Sequence, residues 1–209
     1  MGFFEYISTH WYAGLALALL VILTVFVCIM AMLSGRKRNA ERERILADLQ
    51  REKALREEFR TVDDSTFAQD KDDYRLIIGI CANVQQRLEK SSDMNADFKK
   101  LSQPEQYAYA LGYVFEDSKK GLSEFFRANG EPLLSVSAEA VRDVIGGEVS
   151  ELFVKEYIMF DENDETTSID NKVIEESDAS YKEIIANDGD AVYRTVASYI
   201  RENKDCFIS

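Results

Sequence analysis

Histidine is almost missing from this chain of 209 residues: the only one is His10. Serine–histidine and cysteine–histidine nucleophile pairs need an imidazole base, so residues beyond position 10 can build neither. Histidine-bearing zinc sites fall with them. The three cysteines, Cys28, Cys81 and Cys206, share no spacing motif and are too few for a four-cysteine site. So sparse and odd a set also argues against a disulfide framework and fits a reducing compartment. Neither G-x-x-x-x-G-K-[ST] nor G-x-G-x-x-G occurs, which removes the two commonest phosphate-cradling loops. No alternating apolar–polar run reads as a strand, and no repeat of fixed period is present. Carboxylates are the acid–base groups that remain.

Charge is also missing from residues 11–33, "WYAGLALALLVILTVFVCIMAML". At about 1.5 Å per residue this run measures roughly 35 Å, which predicts a transmembrane helix. Before it stand residues 1–10, with Glu5 and no Lys or Arg; after it come Arg36, Lys37 and Arg38. That asymmetry argues against a cleaved signal peptide and predicts a single pass of the inner membrane, with residues 1–10 outside and the remainder cytoplasmic.

What is present beyond the run divides by charge. Residues 36–60 hold nine basic and six acidic side chains, whereas residues 61–209 hold sixteen basic and thirty-one acidic, a net of −15. The first segment lies within a basic juxtamembrane stalk, 34–60, rich in helix formers and Glu–Arg neighbours three or four residues apart. Its apolar residues keep no clean heptad, so it reads as a single solvated helix. Small and acidic residues over 61–71 read as a linker. From residue 72 to 209 the periodicity is helical throughout. Ile77, Ile80, Cys81, Val84 and Leu88 share one face; Tyr107, Leu111, Val114 and Phe115 share another, in a segment opened by a Ser102–Glu105 capping box. Further helices are expected over "SVSAEAVRDVI", "EVSELFVKEYIMF", "ASYKEIIAND" and "DAVYRTVASYIREN". The expected fold is all-α: one N-terminal transmembrane helix, a helical stalk and a cytoplasmic multi-helix domain.

An acidic stretch, "MFDENDETTSID", places Asp161, Asn163 and Glu165 at alternate positions. Thr166 stands where a calcium loop needs glycine, and Lys172 where it needs a bidentate glutamate. A solvated acidic loop is the better reading, and Asp161, Glu162, Asp164 and Glu165 become candidates for partner binding. In "KKGLSEFFRANGEPLL", Gly121 is expected to break one helix, and Gly130 to close a short second one before Pro132. The adjacent Phe125 and Phe126 cannot share a helix face, so one is expected in the core and the other beneath a neighbouring helix or partly exposed.

That corner, with the helices after it, resembles the bacterial family of acidic DNA-mimic proteins over about residues 75–209. The family pattern runs roughly Asn-Gly-Gly-Phe-x-Gln-Phe-Phe-x-Asn-Ser-x-Gly, followed by an Ile-Gly-Ala-like turn. Gly121 matches its second glycine, Phe125 and Phe126 its aromatic pair, and Ile145-Gly146 the later turn, while Lys119, Lys120 and Ala128 depart from it. The resemblance implies an all-α fold in which Gly121, Phe125, Phe126, Gly130, Ile145 and Gly146 are structural, with no catalytic residue to carry over.

These readings converge on a membrane-anchored cytoplasmic domain that binds or regulates another protein without catalysis. No cofactor, metal or direct nucleic-acid contact is expected, because a net charge of −15 repels phosphate backbones. Two alternatives stand beside it. One is a DNA mimic occupying the DNA site of a basic regulator; the other is a metal-dependent enzyme working through carboxylates.

Overall fold

A computed structural model describes residues 11–68, 72–160 and 171–208; in the first helix it describes the side chains of 14–24, 26, 30, 42–43 and those from 45 onward. The described residues form eight α-helices joined by short 3-10 and π turns, with no strand among them. The all-α expectation holds. The chain separates into two compact units, residues 1–53 and 54–209.

Helix α1, Trp11–Glu58, is continuous over 48 residues. The expectation of a transmembrane helix over 11–33 is corrected here: among the described residues no helix is long and apolar enough to cross a membrane. The single-pass assignment is not supported on that finding. Farther along, Ile45, Leu46 and Leu49 are exposed.

In the second unit, residues 54–58 of α1 are followed by a 3-10 turn, Asp64–Phe67, and by α2, Asp73–Leu88. Then come α3, Met94–Phe98, α4, Gln103–Asp117, and α5, Leu122–Ala128. The series ends with α6, Leu133–Ala140, a π turn, Val141–Ile145, α7, Gly147–Met159, and α8, Asn171–Glu202. Helix α2 packs on α4 and α8, and α5, α6 and α7 close the core. The inner faces read from the sequence are the ones buried: Ile77, Ile80 and Val84 on α2, and Tyr107, Leu111, Val114 and Phe115 on α4. The Ser102–Glu105 capping box forms, with the Ser102 N–H donating to Glu105 Oε2 at 2.9 Å.

Three local expectations are revised. The segment read as a linker buries Val62 and Phe67 in the core, the latter 6.3 Å from the Phe207 ring near the chain's end. Helix α8 runs through Gly189 without a break, because Ile174, Tyr181, Val196 and Ile200 lie on one buried stripe that a kink would divide. Closure of α5 falls to Asn129, whose backbone is extended and whose amide donates to Asp117 at 2.8 Å and to the Phe125 carbonyl at 2.9 Å.

Within the second unit, α2 supplies a fitted socket for residues 56–59. The Phe59 ring lies over Gly79, at a distance a β-carbon there would not tolerate. Asn83 Nδ2 donates to the Phe59 carbonyl at 2.8 Å and Gln86 Nε2 to that of Arg56 at 2.9 Å. Two last-turn carbonyls, which a helix leaves without internal partners, are thereby satisfied. An ion pair between Arg56 and Glu89 flanks the joint.

Candidate functional site

The acidic candidates Asp161, Glu162, Asp164 and Glu165 lie outside the described residues. The corner residues are described, and they are structural. Gly121 adopts φ +144°, and a β-carbon there would stand 2.3 Å from the Asp178 carboxyl carbon. That close approach lets Asp178, from α8, accept from the Ser123 N–H at 3.0 Å and the Ser123 hydroxyl at 2.6 Å. A residue of another helix thus supplies the N-terminal cap that α5 lacks in its own sequence. Beside it, Ser118 and Tyr181 share a hydrogen bond of 2.8 Å.

Phe125 and Phe126 are both buried. Phe153 of α7 reaches each of them, at 5.6 and 4.9 Å between ring centroids, and Phe160 stacks on Phe126 at 5.3 Å. A third layer is the Arg127 guanidinium, 5.6 Å above the Phe160 ring. This stack leaves no shelf for a ligand. Ile145 is half-buried against the core, and Gly146 closes the π turn at φ +66°, donating its N–H to the Val141 carbonyl at 2.8 Å. Gly130 accepts from the Leu133 N–H at 3.0 Å without a positive φ.

Three residues after Phe153 on α7 stands Glu156, which is fully buried. Neither carboxyl oxygen has a hydrogen-bond partner among the described residues. The Ser177 hydroxyl of α8 faces it without completing a bond and is likewise buried and unpartnered. Burial pushes the Glu156 carboxyl up to about 7; the nearby Asp178 adds to the rise, while Ser177, Arg127 and Lys155 oppose it. The sequence carried a sign of this. In "EVSELFVKEYIMF", Val149, Phe153 and Glu156 are spaced four and three apart, so the charge falls on the apolar face.

Two of the clefts lined by described residues bear on function. One, of about 240 Å³, is polar, but its charged groups are engaged locally. Arg75 pairs with Glu58, Asp72 accepts from the Arg75 N–H at 2.6 Å, and Asp63 caps the turn at Ser65 and Thr66. The other, of about 220 Å³, lies between the end of α2, α3, α4 and the turn at 130–133. Its floor is Leu88, Phe98 and Tyr109, part of a second buried cluster with Cys81 and Val84. Met94 stands at its mouth, 39% exposed, and Glu131, Pro132 and Leu133 form the opposite wall. The sequence reading missed this groove. Helix α3 is a single turn and a half, too short for periodicity to reveal, and the wall comes from residues far along the chain.

Among the described residues no group of three His, Cys, Asp or Glu side chains is placed to hold a metal ion. Burial pushes the Cys81 thiol far above the ordinary range, which makes it a poor nucleophile. Among the described residues the geometry offers a recess of mixed lining and a buried acid. Comparison with protein-family models, curated proteins and solved structures finds no match to this chain.

Proposed function

We propose that residues 54–209 form a protein-binding domain without catalytic activity, and that it docks a basic segment of a partner protein in the groove between α2, α3, α4 and the 130–133 turn. The observation that carries this reading is the groove itself, a recess of mixed lining in which Leu88, Phe98 and Leu133 stand beside Asn95 and Glu131, with an exposed methionine at its mouth. Methionine adapts to varied apolar surfaces and suits a docking site. At about 220 Å³ the recess is smaller than the roughly 300–1,000 Å³ typical of small-molecule sites, yet it accepts one or two anchoring side chains. The net charge of −15 over residues 61–209 selects the partner's flanks, since long-range attraction speeds encounter with Lys- and Arg-rich segments. On α8 the exposed face mixes Glu175, Glu183 and Asp188 with Lys172, Lys182 and Arg194, which favours docking over a phosphate-like array.

Selection of a random peptide library on the full chain tests the reading. Enrichment of peptides with apolar anchors flanked by Lys or Arg, with binding lost in Met94→Asp and retained in Glu183→Gln, supports it. Binding that ignores Met94→Asp and vanishes on addition of duplex DNA overturns it in favour of DNA mimicry. Absence of any enriched peptide overturns the groove as a docking site.

A further inference from the structure

Glu156 has no role in forming the groove, yet it is joined to the groove's wall. Its chain neighbour Tyr157 donates a hydrogen bond to Glu131 Oε1 at 3.2 Å, and Glu131 lines the recess. One turn earlier, Phe153 packs between Phe125 and Phe126. Helix α7 therefore rests on α5 and α8 along its inner face, and on the groove wall through Tyr157. An unpartnered carboxylate within that inner face is favoured while it carries a proton, because among the described residues an ion there has only the Ser177 hydroxyl facing it to replace its hydration.

The charged groups around it come from each element packed on α7. Asp178 of α8 opposes ionisation; Arg127 of α5 and Lys155 of α7 itself favour it. On α8, Glu175 and Glu176 are exposed, and on α5 Glu124 pairs with Arg127 at 3.7 Å. The π turn offers Arg142 and Asp143, exposed and paired with each other at 2.8 Å, and α6 offers the exposed Glu139. No cation is buried beside Glu156 among these, so loss of its proton leaves a bare negative charge in the core.

We propose that Glu156 is a proton-operated latch: protonated, it allows α7 to seat on α5 and α8; ionised, it lifts α7 and breaks the Tyr157–Glu131 contact at the docking groove. The latch rests on the docking reading for its consequence, though not for its existence. Neutral pH is the range in which it operates, since burial holds the carboxyl near 7 against an ordinary value of 4.5. With those two values, opening of α7 becomes about thirty-fold more favourable between pH 5.5 and pH 8.

Hydrogen exchange followed by mass spectrometry on the full chain, corrected for the intrinsic pH dependence of exchange, tests this. Peptides from α7 and from residues 172–186 are expected to lose about thirty-fold in protection between pH 5.5 and 8, while peptides from α2 lose far less. Glu156→Gln and the apolar Glu156→Met are expected to abolish that difference. A flat wild-type profile in α7 overturns the latch without requiring either variant to fold. Persistence of the wild-type profile in a folded variant overturns it equally. Met94→Asp is expected to leave the exchange profile unchanged, so the failure of the docking reading and the failure of the latch appear in different measurements.

Discussion

Replacing Gly79 with alanine tests the socket that receives the end of α1. The new β-carbon would sit 2.3 Å from Phe59 Cζ and 2.4 Å from Cε1 and Cε2. Carbon atoms rest about 3.5–4.0 Å apart, so the ring must withdraw by more than about 1 Å. The backbone cannot follow freely, because the Phe59 carbonyl is held by Asn83 Nδ2 at 2.8 Å. Overpacking of this kind costs about 1–3 kcal/mol, and complete expulsion of a buried Phe about 3–5 kcal/mol. The helix-interior change from Gly to Ala returns about 1 kcal/mol. We expect Gly79→Ala to destabilise by about 2 kcal/mol, lowering Tm by roughly 4–8 °C for a domain of this size. Phe59→Leu removes the colliding ring atoms and alone costs about 1–2 kcal/mol through lost burial. In the double variant the alanine methyl occupies part of the vacated space, so the two effects fall short of their sum by about 1–2 kcal/mol. Urea unfolding of the four proteins, followed by far-UV circular dichroism, measures that coupling. A neutral or stabilising Gly79→Ala, or a cycle additive within about 0.5 kcal/mol, refutes the socket.

Three further outcomes are expected. Gly189→Ala places its β-carbon in ordinary contact, 3.5 Å from Ile185 Cγ2 and Tyr193 Cε2, so it should stabilise by about 0.5–1 kcal/mol and raise Tm. Asp178→Ala removes the acceptor for the Ser123 N–H and hydroxyl, and thermal unfolding should show a loss of about 2 kcal/mol. The folded-state value for Glu156 lies above its ordinary one, so the ionisation penalty is absent below pH 4.5 and fully present above about pH 7. Chemical unfolding should therefore show the wild type losing on the order of 3 kcal/mol across that window, a loss that Glu156→Gln does not suffer.

The buried faces of α2 and α4 were legible in the sequence because both helices are long enough for a 3.6-residue period to stand out. The capping box and the break at Gly121 were legible because each rests on local chemistry. Asp178 as the cap of α5 was not, since it arrives from α8 across 55 residues of chain. The run over 11–33 suggested a span from its uncharged length alone. The continuity of α8 through Gly189 was hidden because glycine's weak helix propensity is a local signal, and burial of a stripe on either side outweighs it. For the groove, the floor residues looked like ordinary core positions, and only three-dimensional placement showed that one side of them is open. The placing of Phe125 in the core and of Phe126 beneath α7 follows the helical-face argument, since adjacent residues on α5 point in different directions and α7 covers the second of them.

The contact between Gly121 and Asp178 also ties two distant positions into one heritable unit. A side chain at 121 would collide with the carboxylate, and a residue at 178 without an acceptor would leave the start of α5 uncapped. Either change alone is penalised, so substitutions at the two positions should arise jointly in any lineage that keeps this corner. A descendant sequence bearing a β-carbon at 121 is expected to have moved the cap elsewhere, with serine, threonine, aspartate or asparagine entering at 121 itself. The corner can therefore be followed through divergent sequences by a pair of residues, even where its phenylalanines have been replaced.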